Sequence, residues 1–345
     1  MRIILVGCGS VGQSLIRIFM RRRRQFIRDY GFNPRVVAVV DQGGAVVNSK
    51  GVCLEEVLSS KRENETVALH PEDGHLGLCA RDVIKSVEAE VMVEITPTNI
   101  KDGQPALSHI KTAFKSGKHV VTTNKGPLAL ALPVLTELAQ FNKVYLRFSG
   151  TVGGGTPVLN LAKNCLLGDR IISIRGVLNG TTNYILTEME EKHVTFQQAL
   201  EKAQEQGYAE ADPSMDVDGH DTACKLVIMA NWIMDQKVTL KDVEVKGIRD
   251  IKLKNLEECN RRNCTIKLVG SINDILTVKP TEILRDDPLC VGGILNSVTF
   301  RSEFAGEETV IGRGAGGMAT ASAILRDLLD IKENLSTRLA GREIH

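Results

Sequence analysis

The chain has 345 residues, with 43 Lys and Arg against 42 Asp and Glu and a formal net charge of +1. Such a balance gives no global field that would draw the chain to nucleic acid, and an aromatic content of 4 % argues against stacking surfaces for single strands. The N-terminus reads as a strand rather than a signal peptide, and no apolar run reaches ~18 residues. We therefore expect a cytoplasmic protein of two domains that binds neither nucleic acid nor a membrane.

The first 148 residues alternate between short apolar runs and helical periodicity. Strands are predicted at Arg2–Val6, Arg35–Val40, Val91–Ile95, His119–Thr122 and Val144–Phe148. Helices are predicted at 13–30 and 105–116, between these strands. Residues 48–83 predict only a helix at 54–59 and a polar insertion. This alternation is typical of an α/β domain with a doubly wound parallel sheet of the Rossmann kind.

The pattern changes after residue 148. Helical periodicity at 155–167, 181–191, 195–206 and 220–235 is interleaved with strand-like runs at 171–178, 265–269, 274–280 and 294–304. These elements predict a second domain of the α+β class. Residues 320–331 then form a clear amphipathic helix, and the charged residues after it predict a frayed tail.

The first glycine-rich run matches the pattern GxGxxG, between a predicted strand and a predicted helix. Its candidate cofactor-binding residues are Gly7, Gly9, Ser10, Val11 and Gly12. Glycine permits the tight turn, the approach of a pyrophosphate and close helix–strand packing, and the helix N-terminus offers free N–H groups to phosphate. A plain strand–turn–helix without a ligand is the alternative interpretation.

Three further positions lie at the carboxyl ends of predicted strands, the edge where open α/β sheets bind ligands. Asp41 is placed to accept from a ribose 2′-hydroxyl, which favours NAD; NADP stays open because Arg35 or Lys50 would offset the charge. Thr96 and Lys125 follow the next two strands. The alternative is that Asp41 and Thr96 are turn residues and that Lys125 is a surface charge.

The stretch from Gly207 to Lys225 is unusually rich in carboxylates. Its acids are Glu210, Asp212, Asp216, Asp218 and Asp221. Asp221 and Lys225 stand at i and i+4, on one face of a predicted helix. Such a pair is usually a surface ion pair, but a Lys close to several carboxylates can also position a polar substrate and move protons.

The cysteines and histidines predict no metal site. Eight cysteines include no CxxC pair, and Cys259 and Cys264 lack other ligands at metal-binding spacing. Reduced thiols are the simplest interpretation. His220, next to Asp221, has no second His nearby.

Several segments together resemble the homoserine dehydrogenases, in the order of that family. They are VGCGSVG at 6–12, VTTNKGPLA at 121–129, SGTVGGGTPVL at 149–159, GVLNGTTNYIL at 176–186, the acidic stretch, and GRGAGG at 312–317. The resemblance covers residues 1 to about 330. It implies a dinucleotide-binding domain at 1–145 completed by 306–331, a substrate-binding and dimerisation domain at 146–305, and a tail at 332–345. It also implies a short form without an aspartokinase or an appended regulatory domain.

The resemblance further implies reversible oxidation of L-homoserine to L-aspartate 4-semialdehyde by NAD or NADP, in a homodimer. Lys225 and Lys125 are then catalytic, while Glu210, Asp221 and Asp216 serve the substrate. Thr96, Lys125, Gly207 and Gly316 contact the cofactor. The carbonyls of Val152, Gly154 and Thr156 hold a monovalent cation such as sodium, although Ser149 stands where family members often have Glu.

Two other functions remain open from the sequence. The first is another amino-acid dehydrogenase on the same scaffold; aspartate-semialdehyde dehydrogenase is disfavoured, because no Cys has an activating neighbourhood. The second is a non-catalytic dinucleotide sensor, which needs a cofactor loop but no convergent lysines and carboxylates.

Overall fold

The structure, a computed structural model, describes residues 1–340. The chain divides into two compact units: unit 1 comprises Met1–Thr151 and the chain from Gly316 onward, and unit 2 comprises Val152–Ala315. Each unit has its own β-sheet. The first crossing between units therefore lies a few residues later than position 145, and the return crossing lies ten residues later than position 306.

The strands and helices are numbered in chain order. The strands are β1 Arg2–Val6, β2 Arg35–Asp41, β3 Gly44–Val47, β4 Gly74–Leu76, β5 Val91–Glu94, β6 His119–Thr122, β7 Leu146–Arg147, β8 Ile171–Val177, β9 Val243–Val245, β10 Cys264–Ile272, β11 Leu276–Leu284, β12 Leu295–Ser302 and β13 Glu307–Arg313. The helices are α1 Ser10–Tyr30, α2 Leu54–Asn64, α3 Ala80–Ser86, α4 Ala106–Lys115, α5 Lys125–Phe141, α6 Val158–Asn160, α7 Gly180–Lys192, α8 Phe196–Glu205, α9 Ser214–Val217, α10 His220–Ile233, α11 Leu253–Asn260 and α12 Gly317–Ala340.

The sheet of unit 1 has the order β4-β3-β2-β1-β5-β6-β7. Its strands from β2 to β7 in that order pair in parallel, while β3 and β4 add an antiparallel edge. Strands β1, β2, β5 and β6 are almost wholly buried, as parallel strands between layers of helices are. The predicted α/β class is confirmed. Residues 44–47 had no predicted structure, and a two-residue turn at Gln42-Gly43 returns the chain there as β3. Strand β4 lies in the segment 48–83, for which only a helix and a polar insertion were predicted.

Helix α12 packs along α1 in unit 1. The two helices bury Leu15, Phe19, Ile324 and Leu328 in one core cluster with the strands. Helix α12 continues to Ala340, so the predicted tail was wrong for residues 332–340, and residues 341–345 lie outside the described residues.

The sheet of unit 2 has the order β13-β12-β8-β10-β11-β9. Neighbouring strands of this sheet pair antiparallel, except β11 and β9, which pair in parallel. Strand β13 lies in this sheet, which places residues 307–313 outside the dinucleotide-binding domain in which we expected them. Helices α7 and α10 both pack on β10, and the predicted α+β character of this unit is confirmed.

Among residues 1–340, no helix combines the length and the apolar composition needed to cross a lipid bilayer.

Candidate active site

The turn between β1 and α1 has the geometry of a phosphate-binding turn. Gly7 has φ 112°, and a Cβ there would lie 2.6 Å from the carbonyl oxygen of Ile95. A Cβ on Gly12 would lie 2.6 Å from the carbonyl oxygen of Gly7, so both positions require glycine. The first intrahelical bond of α1 runs from Gln13 N to Gly9 O at 3.0 Å. The N–H groups before it point out of the helix N-terminus, where a pyrophosphate binds.

The second glycine-rich turn of unit 1 lies against the first. A Cβ on Gly317 would collide with Ser10 Oγ, so α12 begins in contact with the first turn of α1. Gly316, with φ 123°, has open space where a side chain would be. The structure therefore brings Gly316 close to the phosphate-binding turn, and its contact with a cofactor stays a prediction.

Asp41 ends β2 as predicted, but its carboxylate already has protein partners. Oδ1 accepts from Thr66 Oγ1 at 2.7 Å and Gly43 N at 3.0 Å, and Oδ2 accepts from Lys61 Nζ at 2.8 Å and Val67 N at 3.0 Å. Burial would raise the pKa of Asp41, yet these donors outweigh it and hold the pKa below its usual range.

The cation beside Asp41 is therefore Lys61, on α2, which was not predicted because the helix expected at 54–59 ends before it. Arg35 begins β2 at the opposite end of the strand from Asp41. It is therefore too far away to offset the charge of that carboxylate.

A buried polar network fixes the ends of β5 and β6. Thr96 Oγ1 donates to Glu94, and Asn124 Nδ2 donates to the carbonyl oxygen of Thr96 at 3.0 Å. Asn124 also caps α5, because its Oδ1 accepts from Gly126 N at 3.0 Å. This cap makes Lys125 the first residue of α5, on the same edge of the sheet as Thr96. Glu94 and Asn124 were not predicted as site residues.

In unit 2, Lys225 and Asp221 form a buried pair on α10. Lys225 Nζ lies 2.7 Å from Asp221 Oδ2 and donates to the carbonyl oxygen of Leu178 at 2.5 Å. The side chains are only 7 % and 12 % exposed, so the pair is not the ordinary surface ion pair that the i, i+4 spacing also allowed. A Lys held this way can exchange a proton at a defined point.

Asn179 connects the acids around this pair. Its Nδ2 donates to Asp216 Oδ1 at 2.6 Å and to Asp221 Oδ2 at 2.9 Å, while its Oδ1 caps α7 by accepting from Thr182 N at 2.9 Å. Burial, and then the charge of Asp221, raises the pKa of Asp216. Asn179 lies in the segment at 176–186 that resembles the family, but no role was predicted for it; its position before Gly180-Thr181-Thr182 is an N-cap signal.

The other acids of the stretch do not converge. Asp212 accepts from Ser214 N at 3.1 Å within its turn, and Asp218 pairs with Arg249 at 2.5 Å. Glu210 is exposed, and its backbone oxygen, not its carboxylate, accepts from Gln204 Nε2 at 3.0 Å. The Glu210 side chain is thus available to a substrate. Gly207, with φ 72°, ends the turn after α8, and its contact with a cofactor stays a prediction.

The loop predicted to hold a monovalent cation offers neutral oxygens. Val152 is fully buried, and the carbonyl of Thr156 already accepts from Val158 N at 2.8 Å. Asn296, which is 4 % exposed, has neither side-chain polar atom paired among the described residues, and a Cβ on Gly314 would overlap it. Neutral carbonyl and amide oxygens are donors of the kind that suit a monovalent cation, and the cation itself stays a prediction.

A glycine turn at the carboxyl edge of a parallel sheet, together with a buried Lys–Asp pair in an α+β unit, is typical of an NAD(P)-dependent dehydrogenase. Residues 7–149 match the family model for the NAD binding domain of homoserine dehydrogenase, and residues 157–329 match the homoserine dehydrogenase model. The chain belongs to the homoserine dehydrogenase family, and the resemblance seen in the sequence is confirmed.

Relatives of similar length support this assignment. The homoserine dehydrogenase of Methanocaldococcus jannaschii is 46 % identical over 332 residues, covering 96 % of this chain and 98 % of that protein. The NAD(+)-dependent homoserine dehydrogenase of Pseudomonas canavaninivorans is 39 % identical, covering 98 % and 97 %. A solved structure from Archaeoglobus fulgidus has a TM-score of 0.87 at 39 % identity, covering 96 % and 99 %. A hyperthermophilic archaeal homoserine dehydrogenase in complex with NADPH has a TM-score of 0.85 at 28 % identity, covering 96 % and 98 %.

Proposed function

We propose that the chain catalyses the reversible oxidation of L-homoserine to L-aspartate 4-semialdehyde with NAD or NADP, in threonine and methionine biosynthesis. The observation that carries this proposal is the buried Lys225–Asp221 pair, which lies in the acidic stretch typical of the family. Asn179 holds this pair through its bond to Asp221. A substrate with an ammonium, a carboxylate and a hydroxyl needs both acids and lysines around it. The pair and the exposed Glu210 supply such groups.

The nicotinamide, when bound, supplies the hydride acceptor for alcohol oxidation. Lys225 Nζ takes the hydroxyl proton in that direction and returns it during aldehyde reduction. Asp221, 2.7 Å away, keeps Nζ in place, and Asp216 supports the same group through Asn179. Glu210 and Asp221 hold the substrate ammonium, and Lys125 polarises the reacting oxygen.

The turns of unit 1 hold the cofactor. The backbone from Gly7 to Gly12 and the turn at Gly316 bind the pyrophosphate, and Thr96 lies toward the nicotinamide. Asp41 and Lys61 form a joint ribose-recognition pair, in which the carboxylate suits a 2′-hydroxyl and the ammonium suits a 2′-phosphate. This pairing supports use of both NAD and NADP.

We further propose a cytoplasmic homodimer assembled through unit 2. The outermost strand β13 pairs with β12 and carries Ile311, which is 51 % exposed in one chain. An outer strand with an exposed apolar residue is typical of a surface that associates. Light scattering during size-exclusion chromatography measures the mass, and a monomer mass contradicts this assembly.

Steady-state kinetics test the activity. Purified chain is assayed with L-homoserine and, separately, with L-serine, L-threonine and L-aspartate, each with NAD and with NADP. Turnover of homoserine well above the other amino acids supports the proposal. Preference for another amino acid indicates a different dehydrogenase on the same scaffold, and cofactor binding without any turnover indicates a dinucleotide sensor.

A further inference from the structure

Two cysteines and a glutamate of unit 2 converge although they lie on separate elements. Cys259 is in the last turn of α11, Cys264 begins β10, and Glu282 is on β11. One ligand atom from each of the three side chains lies within 4.8 Å of the others. The spacing of these cysteines along the chain predicted no metal site, because Glu282 reaches them only through the pairing of β10 with β11.

The strand register explains this convergence. Cys264 pairs with Leu284, and Ile266 pairs with Glu282, so Cys264 and Glu282 are diagonal neighbours on one face of the sheet. Helix α11 packs on β10, and Cys259 is fully buried, while Cys264 is 7 % exposed. The three groups therefore lie on one side of the sheet, beneath α11.

The donor set has a definite chemical preference. Two thiolates with one carboxylate select borderline-soft divalent cations over Mg²⁺ or Ca²⁺, which take oxygen ligands. Zinc binds sulfur at about 2.3 Å and carboxylate oxygen at about 2.0–2.2 Å in tetrahedral sites. Ligand atoms within 4.8 Å of one another thus need to move inward by only about 1 Å.

Arg262 completes the surroundings of this cluster. Its Nη2 donates to Glu282 Oε1 at 2.7 Å, and Cys264 Sγ donates to the carbonyl oxygen of Arg262 at 3.5 Å. The first bond orients the Glu282 carboxylate, as partners of metal-binding carboxylates do, and leaves Oε2 for a ligand. The Glu282 side chain is 49 % exposed, which gives an ion a way in from solvent and room for a water as fourth ligand.

We propose that Cys259, Cys264 and Glu282 bind Zn²⁺, or a cation of the same class, and thereby tie α11 to the sheet of unit 2. The site is separate from the residues proposed for homoserine oxidation, and its role is structural. Such a cation binds thiolates rather than thiols, so each cysteine gives up its proton to the solvent on binding.

Cobalt(II) is the probe, since thiolate-bound tetrahedral Co²⁺ gives a sulfur-to-metal charge-transfer band. Full-length chain reduced with a phosphine is titrated with Co²⁺ and then with Zn²⁺. We expect one Co²⁺ per chain, displaced by Zn²⁺, with about two protons released per ion. Cys259→Ser and Cys264→Ser remove the band, whereas Cys165→Ser, at an exposed cysteine of the same unit, retains it.

Two exposed positions keep the test independent of folding. Glu282→Gln and Arg262→Gln should weaken Co²⁺ binding by about 10–100-fold while homoserine turnover is unchanged. The proposal is overturned if reduced wild-type chain gives no thiolate–cobalt band, or if the band persists in either cysteine variant. Unchanged affinity in Glu282→Gln also overturns it, and so does a Cys259–Cys264 pair that forms a disulfide in air but binds no cobalt when reduced.

Discussion

Asp216 and Asp221 share a single hydrogen-bond donor, the side-chain amide of Asn179, at 2.6 Å and 2.9 Å. Partial burial, and then the repulsion between two carboxylates so close together, raises the pKa of Asp216. The amide opposes that effect because it hydrogen-bonds to the charged forms. Asn179 is therefore a positioning residue, which holds both carboxylates beside Lys225.

Replacing Asn179 with Ser should remove both bonds while keeping a good N-cap for α7. The pKa of Asp216 then rises further, so the acid limb of the kcat/KM profile for homoserine moves to higher pH. A bond to a charged group is worth roughly 1.5–3 kcal/mol, so kcat/KM at neutral pH should fall by about tenfold or more. An unchanged pH profile with a lowered melting temperature would mean that Asn179 only caps the helix.

Replacing Lys225 with Met should lower kcat by about 10²–10⁴-fold, the usual value of general acid–base catalysis. Cofactor affinity should be unchanged, because Lys225 is not among the proposed cofactor residues, which lie in unit 1 apart from Gly207. The single variant leaves Asp221 buried without its cation, which is destabilising. The double variant Asp221→Asn with Lys225→Met is the control: it should recover stability without recovering turnover. Near-native kcat in either variant contradicts the role of Lys225.

Local patterns predicted those parts of the molecule that local physics determines. Apolar runs of strand length predicted β1, β2, β5 and β6. The glycine pattern predicted the first turn, and the lack of space around Gly7 and Gly12 explains why glycine is needed there. The i, i+4 spacing likewise placed Asp221 beside Lys225. In each case the partners are close in sequence, or the pattern has one dominant period.

What could not be predicted depends on contacts between distant residues. Asn179 reaches Asp216 and Asp221 across 37 and 42 positions, and Lys61 reaches Asp41 across 20. The spacing of residues along the sequence does not indicate such contacts. Strand β13 was assigned to the wrong unit for the same reason, because only its pairing with β12 shows which sheet it extends.

Replacing Asp41 with Ala should shift cofactor preference toward NADP. The change removes a ribose partner and frees Lys61 Nζ, now 2.8 Å from Asp41 Oδ2, for a 2′-phosphate. We expect the ratio of kcat/KM with NADP to that with NAD to rise by about tenfold, or roughly 1.4 kcal/mol. The double variant Asp41→Ala with Lys61→Met should lose this shift. An equal fall with both cofactors would make Asp41 an anchor for the loop instead.

Replacing Glu210 with Gln should raise the KM for homoserine by about 10–100-fold and leave the KM for NAD unchanged. The reason is the loss of a charged hydrogen bond to the substrate ammonium, worth roughly 1.5–3 kcal/mol. The melting temperature should not change, since the Glu210 backbone, not its carboxylate, accepts from Gln204. Glu205→Gln, at an exposed acid on α8, is the matched control and should leave the KM alone. A lower melting temperature with unchanged KM would assign Glu210 to the loop.

Replacing Asp327 with Asn should remove a pH dependence from the stability of unit 1. Asp327 lies fully buried on α12, where its Oδ2 accepts from Ser149 N at 2.9 Å. Burial raises its pKa from 3.8 to about 6, against the bonds from Ser149 and the charge of Arg326. The folded chain therefore binds a proton more tightly than the unfolded chain does. The stabilisation from that proton is complete below pH 3.8 and is lost as the pH rises through about 6.

The expected loss in wild type is roughly 3 kcal/mol across this window, at 1.36 kcal/mol per pKa unit. Asn keeps an acceptor for Ser149 N and does not titrate, so the variant should lack this loss. Urea unfolding of both proteins at a series of pH values, followed by circular dichroism, measures the difference between their unfolding free energies. The unfolding free energy of the wild type minus that of the variant should fall as the pH rises from 4 to about 6.5 and then level off. A difference that stays constant over the whole range would mean that Asp327 remains charged in the folded chain, compensated by Arg326 and Arg147, whose charges both lower its pKa.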